Sequence, residues 1–446
     1  MAKRIERNKF DAKQWYFSHF KLFENSLNGD VDDSFHALRK QAIHTFFDLG
    51  FPTTRDEDWK YTNVAPLLQH KYTLDKPSTV SFEVIKNFVY EGLENNLIVF
   101  VNGLYSEQLS NIKTPASGLI VESLQTAFKT HSDIIGKHLG RYAGFQEESF
   151  TALNTAFTHE GVFVYVPQET QFETPVQIIY LSDSTDNVFV SHPRNLIIAE
   201  AGSAAKIVES FCGFGQHPYF NNIVTEVAVA ENAVVDHIKV QEEGPGALHI
   251  ANTHIHQEAN SLYTSVNIDF GAAMVRNNLN VSLNAENCES HLFGFYIGKK
   301  NQHIDNHTFI DHAKPHCFSN ELYKGILDDH ATGVFNGKIL VRPDAQKTSS
   351  LQSNKTLLLT NDAAINAKPQ LEIFADDVKC THGATIGQLD DEALFYLRAR
   401  GIGEDVAEAM LRYAFVADVF QNIKIDSVHK KLDAEMMARL MPADEE

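Results

Sequence analysis

The sequence predicts a mainly β protein, a solenoid of stacked parallel strands with α-helical segments at both ends. Three observations carry that reading. From Val162 onward, runs of four to nine β-branched and aromatic residues replace helical spacing, among them VFVYVP, VQIIYL, NLIIAE, VVDHIKV and LYTSVNIDF. Small or acidic turn residues recur ahead of equivalent strands, as Ala201-Gly-Ser, Ala230-Glu-Asn, Ala259-Asn-Ser and Ala285-Glu-Asn, at spacings of 29, 29 and 26. No helix-sized segment separates these strands, which argues against a βαβ sheet. An antiparallel sandwich stays open, because hairpin punctuation gives similar spacings. Equivalent turns before equivalent strands favour stacked coils.

Along the chain, two amphipathic helices come first. Trp15, Phe17, Phe20, Phe23 and Leu27 recur at steps of two to four, and Phe35, Leu38, Ala42, Phe46 and Phe47 form a second apolar face. Asn28 and Gly29 punctuate between them; Gly50-Phe51-Pro52 ends the second, because Pro cannot continue a helix. Residues 55–125 read as mixed, with a strand-sized apolar run at 96–101, and Thr126 to Gly136 reads as helical. In the strand-rich region the turn series continues through Asp311-His-Ala, Asp329-His-Ala, Asp344-Ala-Gln and Asp362-Ala-Ala, at steps of 26, 18, 15 and 18. Helical texture returns after Gln388. Asp390 and Asp391 offer N-caps to the stripe Leu394, Leu397, Ile402, and Gly401 stands where a left-handed residue would end that helix. A second helix is expected over Glu404 to Ile423 and a third over Asp426 to Met441. The chain thus divides into an N-terminal helical and mixed region (1–150), a β core (151–388) and a C-terminal helical region (389–446). These helical brackets are expected to cover the open edges of the terminal coils.

Composition narrows the function. The chain has 446 residues and a net charge of −20, so phosphate backbones and anionic membrane surfaces are repelled and nucleic acid is a poor partner. Cys212, Cys288, Cys317 and Cys380 are too scattered for a CxxC pair or a disulfide framework, and read as reduced thiols. The start, MAKRIERNKF, lacks an apolar export segment, and no apolar run approaches about 18 residues. A cytoplasmic location is the expectation.

Motif searches exclude several chemistries. The sequence has no GxSxG and no HExxH. Gly294-Phe-Tyr-Ile-Gly-Lys-Lys and Gly333-Val-Phe-Asn-Gly-Lys-Ile lack the spacing and hydroxyl residue of a phosphate-binding loop; their glycines read as turns or close approaches of backbone. Asp328-Asp329 and Asp376-Asp377 read as solvated turns, since strand neighbours point to opposite faces. His291, His303, His307, His312, His316 and His330 crowd one short window, where stacked coils could assemble a metal site or where His could serve polar ladders and turns. Cys317, beside His316, is the best thiol there; Cys212 and Cys288 read as core residues. Cys380-Thr-His382 sets a thiolate and an imidazole on one strand face, a pair suited to iron or zinc. Two ligands are too few, so other coils or another chain must supply the rest.

The segment from Phe374 to Ile402, FADDVKCTHGATIGQLDDEALFYLRARGI, resembles the C-terminal signature of the SufD branch of the SufB/SufD family, subunits of the Suf iron–sulfur cluster assembly machinery. Phe335 to Leu358, His192-Pro-Arg-Asn-Leu-Ile197, Leu153-Asn-Thr-Ala156 and Trp59-Lys-Tyr-Thr62 are similar to the same family, so the resemblance covers about residues 150–425 and part of the N-terminus. SufB chains carry acidic residues beside the equivalent His; Thr381 and Gly383 flank His382 here, which favours the SufD branch.

The resemblance implies a right-handed parallel β-helix between helical domains. It further implies a non-enzymatic scaffold that pairs with SufB, docks the ATPase SufC through helices after Asp390, and presents His382 and Cys380 as candidate ligands for a transient cluster at the subunit interface. No tightly bound cofactor is expected, and the isolated chain could form a homodimer. The competing expectations are a β-helix enzyme acting on polysaccharides and a homodimeric interaction solenoid without metal chemistry.

Overall fold

The computed structural model describes residues 11–27, 33–74, 76–113 and 118–441; Asn28 and Gly29 lie outside these described residues. Between Val176 and Gly387 the chain alternates between two parallel sheets. The first holds Arg194–Ala199, Tyr219–Val229, Ala247–Gln257, Met274–Leu283, His303–His312, Thr332–Val341 and Ala364–Ile373. The second holds Val176–Ser184, Ala204–Gly215, Val234–Glu242, Leu262–Asp269, Glu289–Gly298, Phe318–Leu327, Ser349–Leu358 and Lys379–Gly387. Through this stretch each strand pairs in parallel with the next-but-one, which is the topology of a β-solenoid and not of a hairpin sandwich.

Register gives the coil length. Ala204 lies beside Val234 and Val234 beside Leu262, steps of 30 and 28 residues. Each coil has two turns, and this explains the irregular steps of the later turn series. Asp329 and Asp362 sit in turns leading into the first sheet, whereas Asp344 precedes the second, so the last two steps, 15 and 18, are half-coil steps; Asp311 lies within a strand, so the 18 before them does not run from turn to turn. Asn232, Asn260 and Asn287 hold φ of 58°, 57° and 60° at equivalent turns, a left-handed conformation that Asn tolerates better than most residues.

Ile207, Tyr263, Leu292, Tyr323, Phe335 and Ile339 fill the space between the sheets. Part of each outer face is also apolar, and helices cover those parts. On the first sheet, Tyr16, Phe20, Phe46 and Phe150 of Ala12–Ser26, Asp33–Leu49 and Ser149–Ala156 cluster with Val190, Phe220, Leu248 and Ile250. On the second, Val416, Val419 and Phe420 of Glu404–Phe420 and Leu432 and Met436 of Asp426–Leu440 cluster with Val208, Ile238, Val266 and Phe295. The expectation that helices cover the terminal coils is therefore corrected: they flank the solenoid, because its outward residues form an apolar stripe that must be buried.

The two ends differ. At the N-terminal end, Asn96–Val101 extends the second sheet in parallel and then turns through Asn102-Gly103 into an antiparallel partner, Leu104–Tyr105, while Ile120–Ser123 runs antiparallel to Val162–Val166. Short, reversed strands thus blunt that end. At the other end, Ala364–Ile373 and Lys379–Gly387 each have a sheet neighbour on one side only.

Two polar anchors tie the N-terminal region to the coils. Arg194 and Glu226 form a buried ion pair, and Glu226 also accepts the backbone N–H groups of Gly140, Tyr142 and Ala143 at 2.8, 2.8 and 3.1 Å. Arg276 stacks on Trp59 at 3.8 Å and donates to Asp305 and to the Asp58 carbonyl at 2.8 and 2.7 Å; the Thr62 hydroxyl also donates to Asp305. Burial opposes ionisation of Asp305, yet His307 and Arg276 hold its carboxyl well below the usual range.

Candidate functional site

The last strand, Lys379–Gly387, carries Cys380 and His382. Its register shows which way they face. Cys380 continues the column Tyr263, Ser290, Ser319, Ser350, and His382 continues His237, Ser265, Leu292, Glu321, Gln352. Both columns line the solenoid interior, so Cys380 and His382 occupy inward positions at the coil where the stack ends. With no further coil above them, His382 is exposed and Cys380 half-buried. Burial pushes the Cys380 thiol above its ordinary pKa.

Polar ladders lead to both residues. His312 and Ser319 are 2.9 Å apart and Ser319 and Ser350 2.7 Å, directly below Cys380. Gln352 donates to Glu321 at 2.8 Å, directly below His382. Burial raises Glu321 to about 7 and lowers His312 to about 4, so both are neutral near pH 6. Among the described residues no group of three or more His, Cys, Asp or Glu is arranged to hold a metal ion, and Cys380 and His382 belong to none.

This open end exposes two large apolar side chains among polar ones. Phe374 and Ile386 are 63% and 52% exposed. The unpaired edge of Lys379–Gly387 adds backbone donors and acceptors. Lys379 N–H donates inward to Thr348, so by alternation Cys380, His382, Ala384 and Ile386 direct their amides outward.

Beyond the solenoid, helix Asp391–Ala399 starts where Asp390 accepts the amides of Glu392 and Ala393. It stops at Gly401, φ 87°, where Gly401 N–H bonds Arg398 and Ile402 N–H bonds Leu397, the paired bonds of a Schellman turn. No residue of this helix is buried; Phe395 is 74% exposed beside a shallow groove lined by Asp391, Glu392, Tyr396 and Ala399.

The histidine window does not assemble. His291 pairs with Glu289, His303 meets Thr62, His307 meets Asp305, His312 is internal, and His316 and His330 are exposed turn residues. The ladder-and-turn reading explains them. The glycine-rich decoys are close-packing positions: a Cβ on Gly294 would lie 2.1 Å from the Tyr323 ring. Asp328-Asp329 forms a turn, as expected, and Asp377 pairs with Lys347.

Sequence reasoning missed a buried charged cluster within the coils. His237 lies 3.2 Å from Glu209, His249 2.6 Å from Glu243, and Lys239 donates to Asn277 at 2.6 Å, which donates to Asp269 at 2.9 Å. The signal was present in VVDHIKV: Val235, His237 and Lys239 share one face, but alternation does not say whether that face is inside. Leu292 separates this cluster from Glu321 and Gln352 along the His382 column.

Comparison with known proteins gives a consistent family. The model described as SUF system FeS cluster assembly, SufBD core domain, matches residues 180–415, and the SufBD protein N-terminal region matches residues 10–178. An iron–sulfur cluster assembly SufBD family protein of Synechocystis is 32% identical over 420 residues, covering 92% of each chain. The iron–sulfur cluster assembly protein SufD of Escherichia coli is 30% identical over 90% of this chain and 92% of its own. SufD of Bacillus subtilis is 29% identical over 89% and 91%.

Proposed function

Because the chain belongs to the SufBD family of the SUF iron–sulfur cluster assembly system, we propose that it is a non-catalytic scaffold subunit that pairs with a SufB-like chain and docks a SufC-like ATPase. The observation that carries this reading is the unfinished last coil: two one-sided strands, with Cys380 and His382 on columns that no further coil of the described residues extends. A thiolate and an imidazole suit iron and iron–sulfur species. A nascent cluster is then the cargo of the junction, and the partner supplies the remaining ligands.

The chain has no phosphate-binding loop, so ATP hydrolysis belongs to the docked partner. Exposed Phe395 and Tyr396 give that partner an apolar foothold outside the solenoid. In the absence of a SufB-like chain, the same edge serves a second copy of this one.

The test is co-expression with SufB-like and SufC-like chains, followed by purification and by iron and sulfide analysis. A stable three-component complex is expected, and His382→Ala should preserve the complex while depleting iron and sulfide. Failure to co-purify refutes the partnership; unchanged iron and sulfide in His382→Ala refutes the ligand role.

A further inference from the structure

Cys288 and Cys317 are each 1% exposed and stand at the same turn position in successive coils. The Phe318 amide donates to the Cys288 carbonyl at 2.9 Å, which fixes the two residues side by side at the entry to adjacent strands. Neighbouring strands run about 4.8 Å apart, inside the roughly 4.4–6.8 Å between Cα atoms that a disulfide spans. Both sulfurs lie 3.2 Å from one atom, the Ala285 carbonyl oxygen, so they point to the same side. We propose that Cys288 and Cys317 form a peroxide-reactive dithiol that closes reversibly into a disulfide linking two coils.

The surroundings favour the first step. The interaction between the two thiols lowers Cys288 and raises Cys317, a direction that favours Cys288 as the first nucleophile. In this proposal the oxidant is hydrogen peroxide, a two-electron oxidant small enough to need little opening of the turn. The Cys288 thiolate attacks one peroxide oxygen, the O–O bond breaks, and the departing hydroxide takes a proton to leave as water; Cys288 becomes a sulfenic acid. The Cys317 sulfur then attacks the sulfenic sulfur. Its S–H proton and the displaced hydroxide form a second water, and the S–S bond closes. In sum two thiols and one peroxide give one disulfide and two waters, and an external thiol reverses the change.

The neighbouring coils supply a safe substitution. Ser261 occupies the equivalent position one coil before Cys288, and Thr348 one coil after Cys317, each with the same backbone bond to the following coil. A hydroxyl is therefore accommodated in this column, and Cys288→Ser and Cys317→Ser should fold.

The test is peroxide treatment of the full-length chain, thiol trapping, and tryptic mass mapping without reduction. Cleavage at Lys299 and Lys300 separates the cysteines, so a disulfide links two peptides. The expected result is the Cys288–Cys317 linked pair, two hydrogens lighter than the sum of its parts. It should disappear with dithiothreitol and be absent from either Ser variant, with parent-like circular dichroism. Both thiols remaining free, or both reaching sulfinic acid without a link, overturns the proposal.

Discussion

If the proposed SufC-like ATPase docks on the helix Asp391–Ala399, truncating Phe395 to Ala should weaken that docking without disturbing the fold. Phe395 is 74% exposed on a helix with no buried residue. A large aromatic side chain offers roughly 150–250 Å² of surface, so about 110–185 Å² of this one stands in solvent. At about 25 cal/mol/Å², full coverage by a partner corresponds to about 3–5 kcal/mol. Alanine retains part of that contact, so the expected loss is about 2–3 kcal/mol, within the range of an aromatic hot spot. That corresponds to a rise of roughly 30- to 150-fold in Kd. Calorimetric titration of the SufC-like ATPase into the full chain reads the change, and a thermal melt of each variant serves as control. A Kd within threefold of the parent would refute the docking role of this helix. A large fall in Tm would refute the premise that the ring contributes nothing to the isolated fold.

Three further outcomes follow from the same structure. Ala384→Pro removes an outward amide from the edge strand and spares the inward ladder, so it should abolish pairing with a SufB-like chain, read by light scattering, while the isolated chain loses no more than about 0.5 kcal/mol. Glu226→Ala strands the buried Arg194 guanidinium and three backbone N–H groups, and should cost about 3–5 kcal/mol in denaturant unfolding, with Glu226→Gln between parent and Ala. Burial first, and then neighbouring Glu242, raise Glu435 to about 7 from the ordinary carboxyl value of 4.5. In that window the folded state holds more protons than the unfolded state, so this group's contribution to stability falls as pH rises from about 4.5 to about 7. Glu435→Gln should remove that slope, seen as a smaller fall in Tm between pH 5.5 and 7.5 than in the parent.

Much of the architecture was legible because it rests on local chemistry. The caps are explicit: Asp390 and Gly401 begin and end their helix where the sequence places them, and Glu404–Phe420 is three residues shorter than its apolar spacing implied. The recurrence of Asn and small residues at 201, 230, 259 and 285 follows from two-turn coils that need left-handed residues at one corner. What sequence alone could not fix was facing. In VVDHIKV, Ile238 and Val240 point outward under the C-terminal helices while His237 and Lys239 point inward, the reverse of the usual assignment. Strand length was underestimated because ladders continue through polar residues such as Asn221 and Asn222. Asn102-Gly103 was a readable hairpin signal that went unused. For Cys380 and His382, spacing placed both on one face; their position at the unfinished coil depends on where the whole stack stops.

That one end of the stack is blunted and the other unpaired limits what the molecule can build. A solenoid exposing matched edges at both ends could add subunits head to tail without limit, as an open fibre does. Here the antiparallel strands at Leu104–Tyr105 and Ile120–Ser123 remove one of the two growth points. Among the described residues the other lies at Ala364–Ile373 and Lys379–Gly387, and the proposed pairing would occupy it. Edge-to-edge pairing of the proposed kind therefore stops at two solenoids, because neither outer end then offers a long unpaired strand among the described residues, whatever else docks outside the stack.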